Sequence, residues 1–157
     1  MSEVFFRRYK AEDKEAVYAL HIAGLEETGV LIEGEAREEL DKDFDDIEKT
    51  YIEPGGDFIV AVEHGIVVGM GALKKLDEKT AEVKRMRVQQ NMRGRHIGSR
   101  ILDQLIERAR QQDYGKLVLD TNETQKEAHI LYESRGFKEV RRGIYYGYET
   151  RWYELEI

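Results

Sequence analysis

The chain has no cysteine. That excludes disulfides and a thiol nucleophile, and nothing else in the composition asks for an oxidising compartment. Proline occurs once, at Pro54, so most breaks between elements must come from glycine and polar turns. No apolar run approaches the roughly 20 residues that cross a bilayer, and Met1-Ser2-Glu3-Val4-Phe5-Phe6-Arg7 has no long apolar core. The four histidines (His21, His64, His96, His129) are scattered and H-E-x-x-H is missing, so no metal site is expected. With a formal net charge of −7 the chain is a poor general binder of nucleic acid. What remains is a chain of 157 residues, 41% hydrophobic and 36% charged. It is expected to fold as one cytoplasmic domain over residues 1–157, without membrane, metal or nucleic acid.

The charge is unevenly spread. Glu26 to Glu53 holds twelve acids against three bases, whereas Lys84 to Leu102 holds six bases and no acid. The acid-rich stretch reads either as the solvated face of an amphipathic helix or as a wall that would draw a small cationic ligand. The basic stretch suits a compact polyanion. A strand-like run to Val88 enters it. Ile97, Ile101, Leu102, Leu105, Ile106 and Ala109 leave it at helical spacing. The segment between is therefore a polar loop feeding a helix start, whose first N–H groups lack intrahelical partners and favour negative charge. Gly94 and Gly98 leave room for close approach to the backbone, and Arg93, Arg95 and Arg100 add charge. This is a phosphate site by construction; the bland alternative is a surface turn with solvated arginines. It is not a P-loop, because Ser99-Arg100 follows Gly98. Nor is it a dinucleotide fingerprint, because Gly69-Met70-Gly71 is followed by Lys74 where the third glycine belongs.

The remaining pattern predicts a strand over Phe5 to Tyr9, a helix from Glu12-Asp13, and a region interrupted by Gly24, Gly29 and Gly34. A second helix is predicted over Glu35 to Ile52, where Ala36, Leu40, Phe44, Ile47 and Tyr51 recur. A hairpin spans Phe58 to Leu73 with its turn at His64-Gly65. Then come a strand Thr80 to Val88, a long helix ending at Tyr114-Gly115, and a strand Lys116 to Thr121 parallel to the previous one. A helix Thr124 to Ser134 and strands at Phe137 to Arg141 and Trp152 to Ile157 finish the chain. The class is mixed α/β.

Val88 to Leu102 reads V-x-x-x-x-R-G-x-x-I-G-x-x-I-L, and Leu131 to Phe137 reads L-Y-E-S-R-G-F. This pair, in this order and spacing, resembles the acetyl-CoA-binding and second signatures of the GNAT N-acetyltransferase superfamily. The resemblance covers essentially the whole chain. It implies a twisted mixed sheet of six or seven strands with helices on both faces. The central parallel strands, one ending at Val88 and the other Lys116 to Thr121, would splay apart to admit the pantetheine arm. It also implies transfer of an acetyl group from acetyl-CoA to a primary amine of a small molecule or peptide, by direct attack in a ternary complex. A non-catalytic CoA-binding regulatory module of the same fold is the alternative. The loop departs from the family at His96, where a glycine is usual; a side chain there is expected to need a helical backbone.

Under that resemblance Met86, Arg87, Val88, Arg93, Gly94, Arg95, His96, Ile97, Gly98, Ser99 and Asn122 would contact the cosubstrate. Backbone N–H groups at Met86 to Val88 would also serve as oxyanion donors. Tyr132 matches the tyrosine that protonates the departing thiolate; otherwise it simply packs. Glu82 resembles the general base of one branch; otherwise it pairs with Lys84. Asn122 either touches the pantetheine or caps the next helix. Tyr145, Tyr146, Tyr148, Trp152 and Tyr153 would line the acceptor pocket, fill the core or pair two copies in a homodimer.

Overall fold

The computed structural model describes residues 3–29 and 32–157. Seven strands form one sheet: β1 (Phe5–Arg8), β2 (Asp57–Glu63), β3 (Ile66–Lys75), β4 (Thr80–Val88), β5 (Lys116–Asn122), β6 (Lys138–Tyr145) and β7 (Tyr148–Glu156). Their order is β1-β2-β3-β4-β5-β7-β6. Among the described residues only β4 and β5 run parallel, and their ladder ends at Glu82 opposite Val118. Beyond that pair the two strands part, as the resemblance implies.

Helix α3 (Ile97–Gln111) carries the clearest periodicity in the chain and buries all six residues of its apolar stripe. It crosses β3 at two glycines. A Cβ at Gly71 would stand 2.6 Å from Ile101 Cγ2 and 2.7 Å from Met86 Sδ, so this helix can sit here only over glycine. Just past the end of α3, Asp113 takes the left-handed conformation expected of Gly115; Gly115 N–H instead donates to Lys79 O at 2.8 Å immediately before β5. On the same face lies α4 (Lys126–Ser134), which buries His129 and Tyr132.

The other face is covered by α1 (Lys14–Thr28) and by the segment after it. Gly24 does not interrupt α1. Its missing side chain makes room for Arg87, whose Cδ and Nε lie 2.8 Å from where a Cβ would be. Gly29, left-handed at φ 70°, ends the helix. Val30 and Leu31, within the glycine-interrupted region, lie outside the described residues.

The single helix expected over Glu35 to Ile52 is instead three short turns: α2 (Glu35–Leu40), a 3-10 turn Lys42–Asp45 and a π turn Glu48–Ile52. The apolar pattern is still honoured, because Phe44, Ile47 and Tyr51 are buried. The aspartates break the helix. Asp compares poorly with other residues in helix interiors because its side chain bonds elsewhere. Here Asp41 accepts from His21 Nε2 (2.9 Å) and Arg37 (3.2 Å), while Asp43 accepts from Arg85 (2.7 Å) and from the Tyr51 hydroxyl.

Arg85 is the hinge of the design. The β3–β4 register slips between Met70 and Ala72, so that Gly71 faces two residues, Arg85 and Met86. This is a β-bulge. Arg85 sits in it at φ 57°, a left-handed backbone that costs roughly 1–2 kcal/mol for a residue with a Cβ. Its guanidinium recovers that by binding both oxygens of Asp43 and Leu40 O (2.5 Å), and by covering the Phe44 ring at 4.8 Å. Among the described residues no helix is long and apolar enough to cross a membrane.

Candidate active site

Where β4 and β5 part, two chambers meet. The larger, about 990 Å³, is bounded by α1, the end of β4, the loop from Gln89 to His96, the first turn of α3, and α4. The smaller, about 260 Å³, is bounded by α1, α2, the bulge of β4, the end of β5, and β6–β7. Five residues line both: Thr28, Met86, Arg87, Gln125 and Tyr132.

The larger chamber ends on the α3 N-terminus. The first intrahelical bond is Arg100 N–H to His96 O at 3.1 Å, so the N–H groups of Ile97, Gly98 and Ser99 have no acceptor inside the helix. Gly94 and His96 are both left-handed, at φ 81° and 62°. The helical backbone expected at His96 is thus corrected. The loop keeps the curl of a glycine-rich turn and accepts the strain of a Cβ there.

The arginines do not converge as the sequence implied. Arg93 binds Glu27 of α1 with both terminal nitrogens, bridging the chamber wall. Arg95 turns away to Glu63 at 2.8 Å and does not line either chamber. Arg100 lies over the Phe6 ring at 4.3 Å. What this end of the chamber offers an anion is therefore chiefly backbone N–H groups.

Tyr132 stands at the junction. It is 6% exposed, its ring packs edge-on to Phe137 at 5.8 Å, and burial pushes its hydroxyl well above the usual phenol range. Packing and a place in the cleft are both realised. Met86 and Val88 reach the α3 side of the sheet, where both pack against the core. Asn122 is drawn away from the larger chamber: its Oδ1 accepts from Thr124 N–H (2.9 Å) and Oγ1 (2.8 Å), forming the turn into α4. That turn is pinned by Glu123, which binds Arg151 of β7 at 2.5 and 2.7 Å.

Glu82 is paired with Val118, one step short of the splay, and lines neither chamber. Burial pushes its carboxyl up, the Lys84 ammonium opposes that, and Asp120 adds to it. Asp120, on β5 two residues past Val118, does line the smaller chamber. Its carboxyl keeps a path to solvent, yet the protein around it pushes it up from the ordinary range, against Lys84 and Arg85. The sequence offered one signal for it: an acid at the end of a buried-type strand. Tyr145 and Tyr148 line the same chamber, whereas Tyr153 is core and Trp152 lies under Arg141 at 4.0 Å.

The acidic wall is corrected too. Asp41 and Asp43 face inward to His21, Arg37 and Arg85, and the chamber is left lined by Arg37, Lys84, Arg85 and Arg87 against Asp120. Burial and the nearby Arg85 hold His21 below the ordinary imidazole range, against the pull of Asp41.

The profile of the Acetyltransferase (GNAT) family matches residues 15–137. An N-acetylaspartate synthetase from Danio rerio is 41% identical over 103 residues, which are 64% of this chain and 36% of that protein. The chain thus spans little more than a third of the length of the synthetases it matches. The crystal structure of an acetyltransferase from Streptococcus agalactiae 2603 superposes with a TM-score of 0.86 at 26% identity, covering 98% of each chain. A Salmonella typhimurium protein solved with its cofactor acetyl-CoA shares the fold alone, with a TM-score of 0.76 at 17% identity over 98% of this chain and 93% of that one.

Proposed function

From a chain that belongs to the Acetyltransferase (GNAT) family, we propose an N-acetyltransferase that moves the acetyl group of acetyl-CoA onto a primary amine of a small molecule or peptide within one ternary complex. One observation carries this: a chamber ending on a helix start, whose first N–H groups have no acceptor inside the helix, and a separate polar chamber meet at Tyr132. The names of the relatives and of the structural neighbours support the same reading. The pyrophosphate would lie on the N–H groups of Ile97, Gly98 and Ser99. The pantetheine would follow the edge of β4 that β5 leaves unpaired beyond Glu82, with the acetyl group at Met86 to Val88.

An ammonium cannot attack, so the acceptor must lose a proton. Asp120 is the carboxylate placed to take it, with Glu82 behind it on the same sheet face. The amine then adds to the thioester carbonyl, backbone N–H groups of β4 steady the oxyanion, and the C–S bond breaks. Tyr132 gives its proton to the leaving sulfur and is restored by the proton that the acylated nitrogen sheds as the amide forms. Burial keeps its hydroxyl protonated throughout the neutral range, so the donor is always loaded.

Release of free thiol from acetyl-CoA, read across a panel of amino acids, polyamines, aminoglycosides and peptide N-termini, tests the proposal. Turnover with at least one class is expected; acetyl-CoA binding without turnover on any would leave only the CoA-binding module. The pH profile adds a second check. A base whose pKa is raised works above that value, so kcat/KM should fall as pH drops through a point above the ordinary carboxylate range. That acid limb should vanish in Asp120→Asn.

Arg93 offers a smaller effect. Its partner Glu27 competes with any phosphate for the guanidinium, and the pair is partly exposed. Glu27→Gln should tighten CoA binding about threefold at low salt, with the gain shrinking as salt rises. Calorimetry at two ionic strengths measures it, and weaker binding in the variant would contradict the competition.

A further inference from the structure

The smaller chamber carries more positive charge than proton removal from an amine requires. The bulge at Arg85 and Met86 brings Lys84, Arg85 and Arg87 into its lining together. Arg85 is already held by Asp43 and Leu40 O. Arg37, across the chamber, is held by Asp41 at 3.2 Å and Ile32 O at 2.9 Å. Lys84 and Arg87 have no ion pair among the described residues, and Asp120 is the one carboxylate among the lining ones. Arg87 lies across Gly24, and its buried Nε has no hydrogen-bond partner. Two further lining side chains have a buried atom without a partner, His21 at Nδ1 and Thr121 at Oγ1. Polar groups withdrawn from water are normally satisfied, and a buried cation without a counter-charge is costly. Burial and repulsion from Arg85 both press on the Arg87 charge. A ligand that brings an anion and polar atoms would relieve all of this at once.

We infer that the acceptor is a free amino acid, its amine toward Asp120 and Tyr132 and its carboxylate between Lys84 and Arg87. This rests on the acetyl-transfer reading above and narrows its acceptor from amines in general to small amines that carry a carboxylate. The chamber's volume, about 260 Å³, suits one amino acid rather than an aminoglycoside. Arg87 also lines the larger chamber, so the rival use of its charge is the cosubstrate's own phosphates.

Calorimetry on CoA-saturated protein separates the two. Alanine and leucine are titrated against their amides, with putrescine as the amine that has no carboxylate. Each acid should bind about 100-fold more tightly than its amide, since a site built for a charged partner rejects the analogue that lacks it. In Lys84→Met and in Arg87→Met that ratio should fall below about tenfold. Lys84 is partly exposed, so its variant carries the test even if Arg87→Met proves unstable. Amides or putrescine binding as well as the acids would overturn the inference. So would a ratio that survives both substitutions, or an Arg87→Met that weakens CoA and leaves the acids alone. Binding is read apart from thiol release, so failure of acetyl transfer leaves this comparison intact.

Discussion

Gly98→Asp should weaken coenzyme A binding by about 100-fold while the protein stays folded. Two like charges about 4 Å apart at an effective dielectric near 20 repel by about 4 kcal/mol, and partial relaxation leaves roughly two thirds of that. The fold should tolerate the change for separate reasons. A Cβ at Gly98 would meet Val88 Cγ2 at 3.5 Å and Leu131 Cδ2 at 3.9 Å, which is ordinary contact. An acid in the first turn of a helix also suits its dipole. Gly98→Ala is the control, adding bulk without charge, and should cost far less. Thermal unfolding confirms the fold and calorimetry reads the affinity. An unchanged dissociation constant in Gly98→Asp would move the phosphates away from the α3 N-terminus.

Tyr132→Phe should lower kcat by about 100-fold with little change in acetyl-CoA affinity, because it removes a proton donor used only after binding. Phenylalanine keeps the ring contacts to Phe137 and Tyr153, whose centroids lie 5.8 and 6.5 Å away, so the α4 core should survive. Single-turnover kinetics with a good acceptor would show the loss in the chemical step. Full activity across the pH range would assign the proton to water and return Tyr132 to packing.

Much of this site was legible because local rules and global fold agree. The stripe from Ile97 to Ala109 repeats at helical spacing and buries as a stripe. The loop before it carries its glycine at Gly94, where φ is 81°. The Arg-rich signature was misleading in a physical way: composition counts charges but not their partners. Arg95 and Arg100 are claimed by Glu63 and Phe6, which lie far off in sequence. The same blindness hid the second chamber. Its cationic lining follows from Asp41 and Asp43 turning inward, which also breaks a helix that apolar spacing alone would run on from Glu35 to Ile52. Asp120 lies two residues beyond the partner of Glu82, and only the place where that ladder ends tells which one faces the cleft.

The bulge in β4 works like a frameshift in a text read two letters at a time. Before it, the odd positions Ala81 and Val83 feed the α3 core; after it, the even positions Met86 and Val88 do. The extra residue swaps the meaning of every later position in the strand without changing any letter. A deletion of one residue between Lys84 and Met86 would remove the left-handed kink and straighten the strand. It would leave Met86 and Val88 on the α3 side and Arg87 on the other, because the remaining residues then alternate as in a regular strand, but it would take away the guanidinium that holds Asp43 and Leu40 O. The strand would then tolerate many substitutions but few changes of length. A one-residue insertion after the bulge, between Met86 and the loop at Gln89, would swap those faces and should be far more damaging than any conservative replacement there.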